Sequence, residues 1–278
     1  MLKRIMPSSI VIIIVILMLS ACGSPKQELP ADNTAGNSPV TEKPSSNAGS
    51  GNVPNKPEGD KNEQTGSNKP DGQQTPEDIA TVAHAESVTV LVNKHNKLPE
   101  DYTPANLVYP DVKFTFNERI DKRKMVKEAT DALEQLFQAA SKDGLPLAGV
   151  SAYRSHSRQK QLFEGYVQKD GLEKARTYSA FPGTSEHETG LAIDVAGADG
   201  KCSASDCFAD TAEAGWLADH AHEYGFIIRY PKDKDDITGY KYEPWHLRYV
   251  GLDAASDMHE SGLTFEEYTD SVKAAVHK

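Results

Sequence analysis

Apolar residues recur at helical spacing in three segments of the chain. Their positions predict helices over residues 125–140, 157–168 and 211–224. Gly144 is placed to end the first of these helices, because glycine readily takes the left-handed conformation that follows a helix. A further helix is predicted to open at Thr264, because Thr264 and Glu267 have the spacing of a capping box.

Short apolar runs between these segments have the length and composition of β-strands. The predicted strands are residues 88–92, 113–116, 147–153, 191–195, 226–230 and 245–250. Helices and strands are mixed without the regular alternation of strand and crossover helix that a parallel sheet requires. The pattern therefore predicts an α+β fold with a largely antiparallel sheet.

The first 21 residues have the pattern of an export signal. Lys3 and Arg4 precede an almost unbroken apolar run over residues 10–19, and small residues follow it. This order is typical of a secretory signal peptide, here residues 1–21, with an uncleaved signal anchor as the alternative.

Leu19-Ser20-Ala21-Cys22 also resembles the bacterial lipobox, in which the cysteine carries the lipid. We expect lipid on Cys22 to hold the protein on the extracytoplasmic face of the cell membrane, because several acyl chains together anchor stably.

Residues 22–80 have the composition of a disordered linker. From residue 23 to residue 80 there is no aromatic side chain, and the segment holds eight of the sixteen prolines. Such a segment buries too little apolar surface to offset its ordering entropy.

Residues 81–278 are one domain's worth of chain, which we expect to be monomeric. Their 23 basic and 32 acidic residues give a net charge of −9, which argues against nucleic acid as a partner.

Cys202 and Cys207 are the only cysteines of this domain. Two nearby cysteines in an exported protein more often pair with each other than bind a metal, so we predict a disulfide. Half of a zinc site is the alternative, although no second pair of cysteines exists to complete it.

Two of the nine histidines have neighbours that suggest chemistry. His187 lies on a glycine-containing turn, and Asp194 follows seven residues later within an apolar strand. A carboxylate in such a strand is costly to bury unless a metal ion or an arginine pairs with it. Glu243 and His246 form the second cluster, and Pro244 between them excludes a helix interior. Together the clusters offer two histidines and an aspartate, which with one open position is the ligand set of catalytic zinc.

The motifs resemble those of a known enzyme family. Ser185-x-His187-x-x-Gly190-x-Ala192-x-Asp194, followed by Glu243-Pro244-Trp245-His246, is similar to the VanY/LdcB family of zinc D-Ala carboxypeptidases. Tyr153-Arg154-Ser155 matches the arginine motif of the same family. The similarity runs from about residue 147 to residue 251, and residues 81–146 carry no family motif. The resemblance implies a small antiparallel sheet flanked by helices.

The resemblance also implies a role for each matching residue. It gives one zinc ion per chain three ligands, which are His187, Asp194 and His246. Glu243 is implied as the general base and Arg154 as the group that stabilises the oxyanion and binds substrate. Gln159 and Ser185 are implied to contact the substrate, a peptidoglycan stem peptide.

The sequence does not decide which bond is cut. D,D cleavage removes the last D-Ala of a pentapeptide stem, and L,D cleavage removes D-Ala from a tetrapeptide stem; we favour L,D or mixed action. Two other functions fit the same scaffold. One is a non-catalytic module that binds peptidoglycan or zinc, and the other is an endopeptidase that cuts crosslinks. Either a missing base or a missing ligand would favour the module, and neither is missing here.

Overall fold

The computed structural model describes residues 78–276. The signal peptide predicted over 1–21, the lipid site at Cys22 and the linker up to residue 77 lie outside these described residues. Within them, Ile79 is buried and Ala80 pairs with Asn96. The folded domain therefore includes the last residues that composition assigns to the linker.

The described chain mixes short strands with helices. Its strands, in chain order, are β1 (Ala80–Thr81), β2 (Asn96–Lys97), β3 (Leu107–Val108), β4 (Met125–Val126), β5 (Leu147–Ser151), β6 (Ala192–Gly197), β7 (Phe226–Ile228) and β8 (His246–Tyr249). Its α-helices are α1 (Lys127–Lys142), α2 (His156–Asp170), α3 (Leu172–Tyr178), α4 (Ala212–His220), α5 (Asp235–Thr238), α6 (Leu252–Ser261) and α7 (Phe265–Val276). None of the helices within 78–276 is both long enough and apolar enough to cross a membrane.

A four-stranded antiparallel sheet in the order β5-β6-β8-β7 is the centre of the domain. One face packs against α1 and α4, and the core between them includes Leu133, Leu217, Ile193 and Leu247. Apolar burial at alternate strand positions holds each strand in this register, because a slip of one residue would turn the apolar side chains away from the core. The α+β fold with a small antiparallel sheet flanked by helices is confirmed.

Helix ends follow the local sequence signals. Gly144 has a φ of +81° just after α1, and the Leu145 N–H donates back to the Ala140 carbonyl over 2.9 Å. At the start of α7, the Thr264 N–H donates to the Glu267 carboxylate over 2.8 Å, and the Glu267 N–H donates to the Thr264 hydroxyl over 3.2 Å. Both the helix stop at Gly144 and the capping box at Thr264 are therefore confirmed.

Two of the predicted strands are wrong. Residues 88–92 form turns instead of a strand, and their buried members Val90 and Val92 pack in a small separate core. Residues 113–116 make a single bridge, from Phe114 to Gly149. In both segments the apolar residues are buried by side-chain packing without a strand partner along their length, a difference that apolar composition alone does not reveal.

Candidate metal centre and active site

The register of the sheet brings two of the predicted ligands together. Asp194 on β6 lies directly opposite His246 on β8. Side chains of a strand alternate between the two faces of a sheet. Ile193 and Val195 belong to the core, so Asp194 points to the other face, and Leu247 places His246 in the same way. The apolar strand therefore aims its one carboxylate at a histidine of the neighbouring strand.

The third predicted ligand comes from a tight turn before β6. His187 lies in a 3-10 turn at Glu186–Thr189, which ends at Gly190 with a φ of +69°. A side chain at Gly190 would also meet Leu107, since a Cβ there would lie 2.9 Å from the Leu107 side chain. Glycine at this position thus lets the chain turn sharply, and His187 faces the sheet next to Asp194.

The two imidazoles present different nitrogens to Asp194. Nδ1 of His187 donates to the Ala152 carbonyl over 2.8 Å, which leaves Nε2 as the acceptor atom, 3.4 Å from Oδ2 of Asp194. Nδ1 of His246 lies 2.8 Å from Oδ1 of Asp194. One ligand-capable atom from each residue fits within 4.8 Å of the others. A compact set of two nitrogens and one carboxylate oxygen is chemically suited to zinc.

Electrostatics in this cluster also fit a cation. Burial opposes the ionisation of Asp194, but the imidazoles of His187 and His246 hold its pKa well below the usual range. Burial lowers the pKa of His187. Burial has the same effect on His246, but its contacts with Asp194 and Glu186 outweigh it and raise its pKa to about 9. Both imidazoles would bind a metal ion through a nitrogen that carries no proton, because metal ligands must be deprotonated.

A cavity of about 510 Å³ opens over the cluster. Its lining includes Arg154, Ser185 and Glu243. Burial raises the pKa of Glu243, and its carboxylate has no hydrogen-bond partner among the described residues. The structure therefore places the predicted base, oxyanion group and one predicted substrate contact around the same space.

Gln159 holds Arg154 instead of lining this cavity. Its amide oxygen accepts from Nη1 of Arg154 over 2.9 Å, and its amide nitrogen donates to the Ala180 carbonyl over 2.6 Å. Gln159 is 1% exposed, whereas Arg154 is half-buried. The predicted substrate contact of Gln159 stays a prediction, and the geometry gives this residue the task of fixing the arginine.

Cys202 and Cys207 are joined by a disulfide, with their Cα atoms 5.5 Å apart. The loop that the disulfide closes includes Ala204, which lines the cavity. Asp206 in the same loop pairs with Lys241, another residue of the cavity wall. The disulfide thus shapes one wall of the candidate active site.

Sequence reasoning missed Glu186 and Arg229 under the cluster and misjudged Arg248. Glu186, Arg229 and Arg248 have fully buried side chains, and each arginine pairs with Glu186. From the sequence alone Arg248 is expected to be solvated, as most arginines are. The structure buries it instead, because the preference of arginine for water yields where a buried carboxylate pairs with it. The signal was present in the sequence, since Arg229 and Arg248 each interrupt an apolar strand segment.

Comparison with known proteins identifies the family. The chain matches VanY, described as D-alanyl-D-alanine carboxypeptidase, over residues 122–252. The Bacillus subtilis protein YodJ is 49% identical over 197 residues, which are 71% of this chain and 72% of that protein. Among solved structures, the LdcB LD-carboxypeptidase has a TM-score of 0.68 at 48% identity, covering 71% of this chain and 92% of that chain.

A vancomycin-resistance D,D-pentapeptidase VanY, solved in complex with Zn(II), is also similar. It has a TM-score of 0.52 at 34% identity, covering 66% of this chain and 98% of that chain. The family match spans the arginine motif, the ligand cluster and Glu243, so it covers the site as well as the sheet. Identity at these levels across most of each relative means that the chain belongs to the VanY family of D-alanyl-D-alanine carboxypeptidases.

Proposed function

We propose that this protein is a zinc-dependent carboxypeptidase that removes the C-terminal D-Ala from peptidoglycan stem peptides. The observation that carries the proposal is the buried cluster of His187, Asp194 and His246 beneath a cavity. Asp194 forms its ion pairs with these two imidazoles, and no arginine of the described chain is paired with it. That arrangement favours a metal ion over the alternative of a structural Asp–Arg pair.

The three residues fit zinc and leave room for chemistry. His187 through Nε2, Asp194 through its carboxylate and His246 through Nδ1 would hold the ion, and three protein ligands are typical of catalytic rather than structural zinc. When bound, zinc supplies Lewis acidity that polarises a carbonyl and lowers the pKa of water. The protein's own groups must then move a proton and stabilise the negative charge that develops.

Glu243 and Arg154 are placed for those two tasks. Glu243 is half-buried at the cavity wall, and no residue of the described chain pairs with its carboxylate, so it can take a proton from the attacking water and pass it to the leaving amine. Arg154 reaches the same cavity as a cation held by Gln159. A guanidinium fixed before the reaction stabilises a developing oxyanion more effectively than one that must first reorient.

The sequence identities to the relatives favour L,D cleavage. LdcB, an LD-carboxypeptidase, is 48% identical to this chain, whereas the VanY D,D-pentapeptidase is 34% identical. We therefore propose L,D cleavage, in which D-Ala is removed from a tetrapeptide stem.

Digestion of purified muropeptides tests both the activity and the bond. Zinc-loaded protein, the same protein treated with a chelator, and Glu243→Gln protein are each incubated with tetrapeptide, pentapeptide and crosslinked muropeptides. Mass spectrometry should show loss of one alanine from the tetrapeptide with zinc-loaded protein alone. Trimming of the pentapeptide alone would reassign the bond as D,D, and cleavage of crosslinks would make the protein an endopeptidase. No product from any substrate would contradict the enzymatic function and favour a binding module.

We also propose that the enzyme is a lipoprotein of the cell membrane. The support is the lipobox-like Leu19-Ser20-Ala21-Cys22 after a short apolar run. Cys22→Ser should release active protein from the membrane fraction while kcat on soluble muropeptides stays unchanged. A variant that remains in the membrane fraction would show that the apolar run itself is the anchor.

A further inference from the structure

We propose that Glu186 is a positioning residue that orients His246 so that Nδ1 is its metal-binding nitrogen. The inference rests on the zinc site proposed above and assigns a task to a residue that does not itself belong to the ligand cluster. It follows from the contacts on the far side of the His246 ring, away from Asp194.

Two buried atoms face each other at this position. Nε2 of His246 lies 3.5 Å from Oε2 of Glu186, and neither atom has a hydrogen-bond partner within the described residues. The Glu186 side chain is fully buried. An unpaired donor and an unpaired acceptor are both costly inside a protein, so the arrangement is explained if Nε2 carries a hydrogen directed at Glu186. Nδ1 then has its lone pair towards Asp194 and the metal.

The two ligand imidazoles are thus supported in different ways. His187 donates from Nδ1 to the neutral carbonyl of Ala152, whereas His246 faces a carboxylate. A carboxylate behind a metal-binding histidine fixes the ring orientation and raises the basicity of the ligating nitrogen. Glu186 therefore makes His246 the more basic metal ligand of the two histidines and determines which of its nitrogens can bind the metal.

A pair of buried arginines keeps Glu186 charged and correctly aimed. Oε1 of Glu186 accepts from Nε of Arg229 over 2.7 Å and from Nη1 of Arg248 over 2.8 Å. Both guanidinium groups bond to the same oxygen, so two cations face the carboxylate and fix its orientation. With Oε1 occupied by both arginines, Oε2 is the oxygen left for His246.

The arginines are in turn anchored in segments distant from the family motifs. Glu266 at the start of α7 accepts two hydrogen bonds from Arg229, over 2.9 and 2.6 Å. Arg248 donates to the carbonyls of Val88 and Val90 over 3.0 and 2.8 Å. Residues 88–90 and the C-terminal helix therefore contribute to the metal site through the Glu186–arginine network. This gives a purpose to part of the motif-free region before residue 147.

Zinc affinity of Glu186→Gln tests the proposal. The glutamine has one acceptor oxygen for three facing donors and lacks the charge, so support for His246 is lost without a large change in shape. We expect zinc binding, measured by competition with a chromophoric chelator, to weaken about 10–100-fold. Glu188→Gln is the matched control, because Glu188 is equally buried in the same turn but contacts Gly183 and His156 instead of His246. It should bind zinc as tightly as wild type, and Co²⁺ absorption spectra should change only for Glu186→Gln.

Wild-type protein gives a second test that does not depend on folding of the variant. In zinc-loaded protein labelled with ¹⁵N-histidine, NMR should show hydrogen on Nε2 of His246 and metal on Nδ1. Metal on Nε2, or unchanged zinc affinity and cobalt spectrum in folded Glu186→Gln, would overturn the role of Glu186 while leaving the zinc enzyme intact. Absence of zinc binding by wild-type protein would instead overturn the proposed function, and with it this inference.

Discussion

The two sides of the candidate active site differ in how their side chains are held. On the sheet side, Asp194 and His246 lie on paired strands, and Glu186 of the Glu186–arginine network faces His246. On the loop side, Arg154 and Glu243 come from segments between regular elements and are half-buried. Glu243 has no hydrogen-bond partner on its carboxylate among residues 78–276, whereas Asp194 contacts both imidazoles.

This difference corresponds to two kinds of chemistry. A metal site needs ligands fixed in position before the ion arrives, and neighbouring strands with buried charged partners supply that rigidity. A general base must instead exchange protons with substrate and water, which a carboxylate paired with arginines does poorly. We therefore expect substitutions on the sheet side to remove metal and those on the loop side to remove turnover alone.

The largest effect is expected at the ligands. His187→Ala, Asp194→Ala and His246→Ala should each abolish tight zinc binding and, with it, activity, because two remaining ligands cannot form the three-residue site. Metal content after dialysis and activity on tetrapeptide muropeptides are the measurements. Full zinc occupancy in all three variants would contradict the assignment of metal binding to these three residues.

On the loop side, Glu243→Gln should keep zinc but lose turnover. The amide preserves shape and cannot accept the proton, so kcat should fall at least about 10²-fold. Zinc content must be measured in the same sample. Near wild-type kcat in this variant would mean that another group is the base.

Arg154→Ala should also retain zinc, with a loss in kcat of about 10²–10³-fold if the guanidinium stabilises the oxyanion. Arg158→Ala is the matched control, because this arginine lies four residues later, within α2, and is exposed. An equal fall in kcat for both substitutions would mean that positive charge near the site matters, and that Arg154 makes no specific contact with the oxyanion.

The pH dependence of kcat/KM should show the raised pKa of Glu243. Burial raises this pKa above the ordinary glutamate value of 4.5. The base acts as a carboxylate, so activity should be present above the raised pKa and fall as the pH decreases through it. The acid limb should therefore lie above pH 4.5, at pH values where bound zinc, measured in parallel, is still retained. An acid limb at or below that value would contradict the expected effect of burial on the pKa of Glu243.

The smallest effect is expected from the disulfide. Replacing Cys202 and Cys207 by serine opens a loop that lines the cavity, so KM should rise modestly while zinc content stays the same. A loop this short contributes about 2 kcal/mol to the free energy of unfolding in the chain-entropy model. Thermal unfolding and steady-state kinetics measure the two effects, and loss of zinc would contradict the separation of the sides.

The sequence predicts the sheet side better than its surroundings, for physical reasons. Asp194 is conspicuous because a lone carboxylate in an apolar strand requires a partner. Its neighbour His246 belongs to a motif with a proline that limits the backbone. The helix stop at Gly144 and the capping box at Thr264 are local signals and were predicted correctly. Which residues line the cavity, in contrast, depends on how loops that are distant in the sequence come together.

Long-range pairing explains what could not be predicted. Glu186 and Arg248 are 62 residues apart, and Glu186 and Arg229 are 43 apart, so no local pattern joins them. Residues 88–92 have the composition of a strand, but the carbonyls of Val88 and Val90 bond to a buried guanidinium instead of a neighbouring strand. A charged residue inside an apolar segment shows that a partner is needed without showing where that partner lies.

Anomalous diffraction at the zinc edge, from a crystal of the zinc-loaded protein, tests the central claim most directly. We predict one strong peak per chain, about 2.0–2.2 Å from Nε2 of His187, a carboxylate oxygen of Asp194 and Nδ1 of His246. Glu243 should lie outside bonding distance of that peak. A zinc-loaded crystal with no peak among these three residues, or with Glu243 as a ligand in place of one of them, would contradict the account.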